Sequence, residues 1–165
     1  MALHAFLSGA NAVCFEKDHR KYAMICAWAT MIDYDTIGLL IGEQSVTGHS
    51  IELGMIIGVS ALSKEQKTIA LRLGNGHSDN IDKLDKIKYH QSDTAILING
   101  ARNNLVCRVD NILTINSTCA DRFVVARITE VEEDVTKSFL DVEEVFHKWL
   151  FAFNNLFNFF KRLVR

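Results

Sequence analysis

The chain has 165 residues, a length that suits a single core able to bury about 70% of the unfolded surface. With 48% hydrophobic and 23% charged residues, disorder and collagen-like repetition are excluded. A net charge of -2 leaves no excess of cations for a row of phosphates, so nucleic acid is not an expected partner.

The N-terminal stretch MALHAFLSGANAV lacks the basic region of a signal peptide, and a cytoplasmic protein is expected. The runs AVCF (12–15) and YAMICAWATMI (22–32) flank EKDHRK, which suits a hairpin turn carrying Asp18 and His19, and the second run is apolar enough to be a buried strand. IGLLIG (37–42) is a further strand. Small hydroxyl residues in SVTGHSIELG (45–54) then precede a short helical pattern. IIGVSAL (56–62) predicts another strand, and Ser63 with Gln66 forms a capping box opening a helix over 64–73 that Gly74 closes. After GNGHSDN a short polar helical stretch runs through Lys83 and Lys86. AILING (95–100) leads to LVCRVDNILTI (105–115) and RFVVARITEV (122–131), which the turn NSTCAD joins into a long hairpin.

Hairpin-linked strands with a few short helices point to an antiparallel barrel or sandwich, because the alternation of a doubly wound sheet is missing. Asp141 and Glu144 open an amphipathic helix whose apolar face carries Val142, Val145, Phe146, Trp149, Phe153, Phe157 and Phe160, and whose end is basic at Lys161, Arg162 and Arg165. The expected organisation is a barrel domain over 1–140 and this helix over 141–165, packed on the barrel or on a second copy in a homodimer. Even this tail is interrupted by polar residues, so no membrane span is expected. Cys14, Cys26, Cys107 and Cys119 lack zinc-knuckle spacing, so they read as reduced thiols and no metal is expected. His4, His19 and His90 read as solvated loop residues.

Three segments can meet a ligand. In MICAWAT, the small Ala27 and Ala29 let a flat ring approach the backbone, Trp28 can cover an edge, and Thr30 follows; the same run also reads as a plain buried strand. In SVTGHSI, the hydroxyls of Ser45, Thr47 and Ser50, the close approach allowed by Gly48, and His49 form a phosphate cradle at a helix start; simple N-capping is the other reading. In GNGHSDNIDK, His77 and Ser78 offer donors and Lys83 a cation, against a solvated helix exit. No G-x-S-x-G, G-x-G-x-x-G, Walker loop or H-E-x-x-H occurs.

Taken in order, these segments resemble the flavin reductase-like family, which has an FMN-binding split β-barrel and includes the flavoredoxins. MICAWATMIDYD looks like the family's M-T-A-x-W-x-T strand along the isoalloxazine ring, and SVTGHSI is similar to its S-x-T-x-x-x-I phosphate segment. LGNGHSDNIDKL looks like the G-x-x-S-G-R-x-x-D-K-F loop, and LINGARNNLVCRV like the L-I-E-G-A-x-x-x-L-E-C-R-V strand. The family's Asp-Pro-Pro is replaced by Asp35, Thr36 and Ile37, and its Ser-Gly-Arg by His77, Ser78 and Asp79. The resemblance implies a mainly antiparallel split barrel that binds FMN on Ala27, Trp28, Ala29, Thr30, Ser45, Thr47, Gly48, His49, Ser50, His77, Ser78 and Lys83. It implies electrons from NAD(P)H passed to a flavin, ferric chelate or protein acceptor, with no residue needed as an acid-base catalyst. A carrier without NAD(P)H oxidation, or a non-catalytic flavin-binding module, is the alternative.

Overall fold

The computed structural model describes residues 9–42, 44–116 and 119–145. Strands β1 (Asn11–Lys17) and β2 (Arg20–Cys26) pair antiparallel. Their turn residues Asp18 and His19 both take left-handed backbone angles, φ 51° and 59°, the two-residue hairpin geometry that matches strand twist. The run expected as one strand over 22–32 breaks at Ala27 and Trp28: β3 (Ala29–Asp33) leaves β1 and pairs with β4 (Thr36–Ile41). It is also not buried, with Met31 53% and Ile32 50% exposed. It is the edge strand of the sheet, paired with β4 alone among the described residues.

A single helical turn, α1 (Val46–His49), precedes β5 (Ile56–Ala61). A 3-10 turn over Lys64–Gln66 runs into α2 (Lys67–Gly74), and the capping box forms, with Ser63 N–H donating to Gln66 Oε1 at 3.0 Å. The helix continues through Gly74, and the left-handed residue is Gly76 at φ 65°. The polar helix expected through Lys83 and Lys86 is instead two successive turns, with Lys86 at φ 64°. Lys83 and Leu84 are both buried, so tertiary contacts rather than helical bonding fix this segment.

β6 (Tyr89–Ser92) and β7 (Ala95–Ile98) form a second hairpin, and β8 (Asn103–Asn116) with β9 (Cys119–Glu133) the expected long one. The strand order is β3-β4-β9-β8-β5-β1-β7-β6, with β2 bonded to β1 alone. Every pairing between these strands is antiparallel, as the barrel reading requires.

Two cores follow from the period of a strand buried on both faces. Along β1, Val13 and Phe15 enter the barrel interior with Leu39, Ile57, Cys107 and Val124. Ala12 and Cys14 face the opposite way, beneath Ala70 and Leu73 of α2. Val142 and Val145, in a helical turn over 142–145, join this second core, and Lys64 pairs with Glu144 at 3.3 Å. The expected helix beyond this turn, together with His4 and the Cys119 side chain, lies outside the described residues. Cys14, Cys26 and Cys107 are free and buried, and burial pushes the Cys14 and Cys107 thiols up to about 12 and Cys26 to about 11, which keeps them protonated and inert. Among the described residues no helix is long and apolar enough to cross a membrane.

Candidate functional site

Among the described residues β2 pairs with no strand but β1, which leaves its other edge without a strand partner. Ala23 directs its N–H and C=O to that edge, and side chains from two distant segments meet them. Ser78 Oγ accepts from Ala23 N–H and donates to Ala23 C=O, both at 3.1 Å. Thr47 Oγ1 donates to the same carbonyl at 3.2 Å and lies 3.0 Å from Ser78 Oγ. Both side chains are buried, so their hydroxyls brace α1 and the 75–83 segment against β2. Arg20 holds that segment from outside, donating twice to Ser78 C=O at 3.2 and 3.0 Å.

Backbone alternation turns the N–H and C=O of Ile25 to the same edge as those of Ala23. Here lies a cavity of about 160 Å³ lined by Met24, Ile25, Ser45, Val46, Thr47, His77, Ser78 and Lys83, among others. Ser45 is the N-cap of α1: its Oγ accepts from Gly48 N–H at 3.0 Å and donates to Met24 Sδ at 3.1 Å. The amides of Val46 and Thr47 open the turn, where helix geometry offers no internal carbonyl.

Lys83 is the distinctive group. It is 6% exposed, donates to Leu73 C=O at the end of α2 at 2.8 Å, and forms no ion pair with a carboxylate among the described residues. Burial lowers its pKa, with Cys14 as the titratable neighbour. A buried cation held by one carbonyl is costly in isolation, a cost that an anion in the adjoining cavity would offset.

The structure thus brings together Ser45, Thr47, His77, Ser78 and Lys83, while the remaining residues singled out in the sequence do not line the cavity. Gly48 is buried, and a Cβ there would come 2.1 Å from Ile41 Cγ2, so the glycine allows close packing of α1 on β4. His49 is exposed, and Ser50 Oγ donates back to Val46 C=O at 2.9 Å. Ala27 and Ala29 are half-buried, Thr30 is exposed, and Trp28 is 60% exposed, its carbonyl held by Leu40 N–H at 2.9 Å. Asp79, which stands where the resemblance has an arginine, belongs to a neighbouring cleft with His19, Arg20 and Asp82.

Sequence reasoning missed Arg122. From β9 it donates to Gly48 C=O at 2.6 Å and Ile51 C=O at 3.0 Å, fixing the end of α1. Nothing local marks it, since the contact spans 74 residues. An open groove of about 760 Å³ near Asp18 and Asp93 contains none of the cradle residues, and its Lys17 is paired with Glu52.

No curated protein matches the chain. Among solved structures, the NADH:FAD oxidoreductase SgcE6 of Streptomyces globisporus is similar with a TM-score of 0.72 at 16% identity, over 81% of this chain and 79% of that one. An FMN-binding protein from Thermus thermophilus gives a TM-score of 0.72 at 17% identity, over 81% and 76%. Flavoredoxin from Methanosarcina acetivorans gives 0.71 at 15% identity, over 81% and 72%. These likenesses show the split-barrel fold. The family model described as the flavin reductase like domain matches residues 3–149, nearly the whole length, and the chain belongs to that family.

Proposed function

We propose that the protein binds FMN noncovalently and is an oxidoreductase that takes electrons from NAD(P)H and passes them to a flavin, ferric chelate or protein acceptor. The observation that carries this is the buried Lys83 ammonium, without a carboxylate partner among the described residues, beside a cavity at the free edge of β2. These residues fit the phosphate end of the cofactor: Lys83 supplies charge, His77 and the amides of Val46 and Thr47 supply donors, and Ser45, Thr47 and Ser78 hold those donors in place. The ring lies along the β2 edge toward Ala27, Trp28, Ala29 and Thr30; Trp28 is three residues from Ile25, about 10 Å along extended chain. Bound flavin supplies the electron transfer, and the chain's own residues bind and orient it.

Family membership and a relative named as an NADH:FAD oxidoreductase in complex with NAD and FAD fragments support the nicotinamide as donor. The exposed apolar side chains Trp28, Met31, Ile32 and Tyr34 in and around β3 support a homodimer. Titration of the purified protein with FMN and riboflavin, followed by anaerobic stopped-flow mixing with NADH or NADPH, tests both steps. A preference for FMN and rapid bleaching of the bound flavin are expected. Equal affinity for the two flavins would remove the phosphate cradle, and bleaching by neither nicotinamide would leave the electron-carrier reading.

A further inference from the structure

Met24, on β2, has no role in the binding described above, yet its sulfur is bonded to a residue of the cradle. Its half-buried side chain packs on the barrel core and lines the cradle cavity beside Ser45, Thr47, His77 and Lys83. Met24 Sδ accepts the hydroxyl proton of Ser45 at 3.1 Å, while Ser45 Oγ accepts from Gly48 N–H at 3.0 Å. A hydroxyl has one proton to give, so the thioether sets the direction of the hydroxyl that caps α1.

A thioether is also the group in this wall that peroxide oxidises, and the product is polar where the reactant was apolar. The thiols of Cys14, Cys26 and Cys107 are at most 2% exposed and line no part of the cavity. Two other methionines are elsewhere: Met31 is 53% exposed on the edge strand β3, and Met55 Sδ accepts from Glu52 N–H at 3.2 Å in the groove near Asp18 and Asp93.

We propose that Met24 is a redox-sensitive modification site that regulates the cradle: hydrogen peroxide converts it to the sulfoxide, and the oxidised protein loses affinity for the phosphate end of its ligand. The sulfur attacks one peroxide oxygen, the O–O bond breaks as the S–O bond forms, and the second oxygen leaves as water with both protons. Sulfur gives up two electrons and the peroxide takes them. A reduced flavin releases peroxide when dioxygen accepts its electrons, so the proposal rests on the flavin reading.

The geometry supplies the consequence. With Met24 Sδ and Ser45 Oγ 3.1 Å apart, no oxygen fits between them, and the apolar barrel core on the other side disfavours one. Oxidation therefore sets a partly negative oxygen on the cavity wall or displaces Ser45 and with it the cap of α1. The first repels an anion, and the second misaligns the amides of Val46 and Thr47. Methionine sulfoxide reductases reverse the change, so binding is restored when peroxide subsides.

The test treats the full chain carrying Met31→Leu and Met55→Leu with hydrogen peroxide and follows each remaining methionine by peptide mass mapping. Met24 should gain one oxygen with the circular dichroism spectrum unchanged, and the amide resonance of Gly48, whose acceptor is Ser45 Oγ, should shift. The FMN dissociation constant should rise at least about fivefold while that of riboflavin stays within about twofold, and sulfoxide reductase should restore both readouts. A chain with Met24→Leu added should bind FMN alike before and after peroxide, which excludes oxidation elsewhere as the cause. Three results overturn the proposal: Met24 untouched under conditions that fully convert Met31 in the unsubstituted chain, oxidised Met24 with unchanged FMN affinity, or equal losses for both flavins. Failure of the untreated protein to bind FMN would instead remove the flavin reading. Inorganic phosphate, titrated on the same Gly48 resonance, then decides by the same fivefold criterion whether Met24 controls the cavity.

Discussion

Replacing Lys83 with methionine keeps an unbranched chain of similar reach and deletes the ammonium. One of its donors is engaged by Leu73 C=O at 2.8 Å, which leaves the others for a ligand in the cavity. A hydrogen bond between charged partners contributes about 1.5–3 kcal/mol, so the FMN dissociation constant should rise about 10- to 150-fold. Riboflavin lacks the phosphate and should bind both proteins alike, within about twofold. That comparison separates a lost ligand contact from general damage, because freeing the Leu73 carbonyl costs about 1 kcal/mol of stability whichever flavin is present. Since Lys83 is 6% exposed, the difference should shrink with salt but survive at 1 M, where the screening length is about 3 Å. Burial lowers the Lys83 pKa below its ordinary 10.5. The destabilising effect of the buried charge is therefore complete below the folded pKa and relieved as pH rises through it, and FMN affinity should fall across that same window in the wild type but not in Lys83→Met. The assay is flavin fluorescence quenching at several salt concentrations and pH values. Equal losses for FMN and riboflavin, or no loss for FMN, would refute the assignment.

Three further outcomes are expected. Ser78→Ala removes the acceptor of Ala23 N–H and one of two donors to its carbonyl, so it should cost about 2–3 kcal/mol, whereas Thr47→Val leaves Ala23 bonded through Ser78 and should cost about 1 kcal/mol; urea denaturation giving the reverse order would contradict the bracing geometry. Gly58→Ala would set a Cβ 2.2 Å from the backbone oxygen of Ile96, and the resulting strain between β5 and β7 should destabilise by about 3 kcal/mol in the same assay. The bonds to Asn99 and Glu132 raise the His90 pKa above its ordinary 6.5, so its contribution to stability is complete below 6.5 and lost as pH rises through the folded value; the stability difference between wild type and His90→Gln should be larger near about pH 5.5 than near about pH 8.

Local chemistry made much of the fold legible. The hairpin at Asp18 and His19, the capping box at Ser63 and Gln66, and the long β8–β9 hairpin all rest on residues close in sequence. The break at Ala27 and Trp28 was hidden because both halves of YAMICAWATMI are apolar, and composition does not say that the second half sits uncovered at a sheet edge. β6 was missed for the opposite reason: its YHQS carries almost no apolar signal, and the strand exists through pairing with β7. His90 accordingly lies on a strand rather than in a loop, and is exposed as expected while bonding Asn99 and Glu132. At the site, residue types identified which segments converge but not which way their hydroxyls point. That direction depends on the free edge of β2, a property of strand order across the whole barrel.

Strand order also bears on how a cofactor can be held. A cavity of about 160 Å³ falls below the roughly 300–1,000 Å³ of pockets that enclose an entire small-molecule ligand. Under the proposed function the cradle therefore takes the phosphate end, and the ring rests on open surface. The break after Cys26 makes that surface: by sending β3 away to pair with β4, it leaves the end of β2 without a second neighbour and sets Trp28 outward at the corner. Had 22–32 continued as one strand along β1, Trp28 and Met31 would have remained in that ladder and no corner would exist. Trp28 is 60% exposed and Tyr34 fully exposed, an arrangement that a lone domain gains nothing from and that a flavin ring covered by a second copy of the chain would bury. The same interruption that defeats a simple strand reading thus provides the place where the proposed ring and the proposed dimer contact meet.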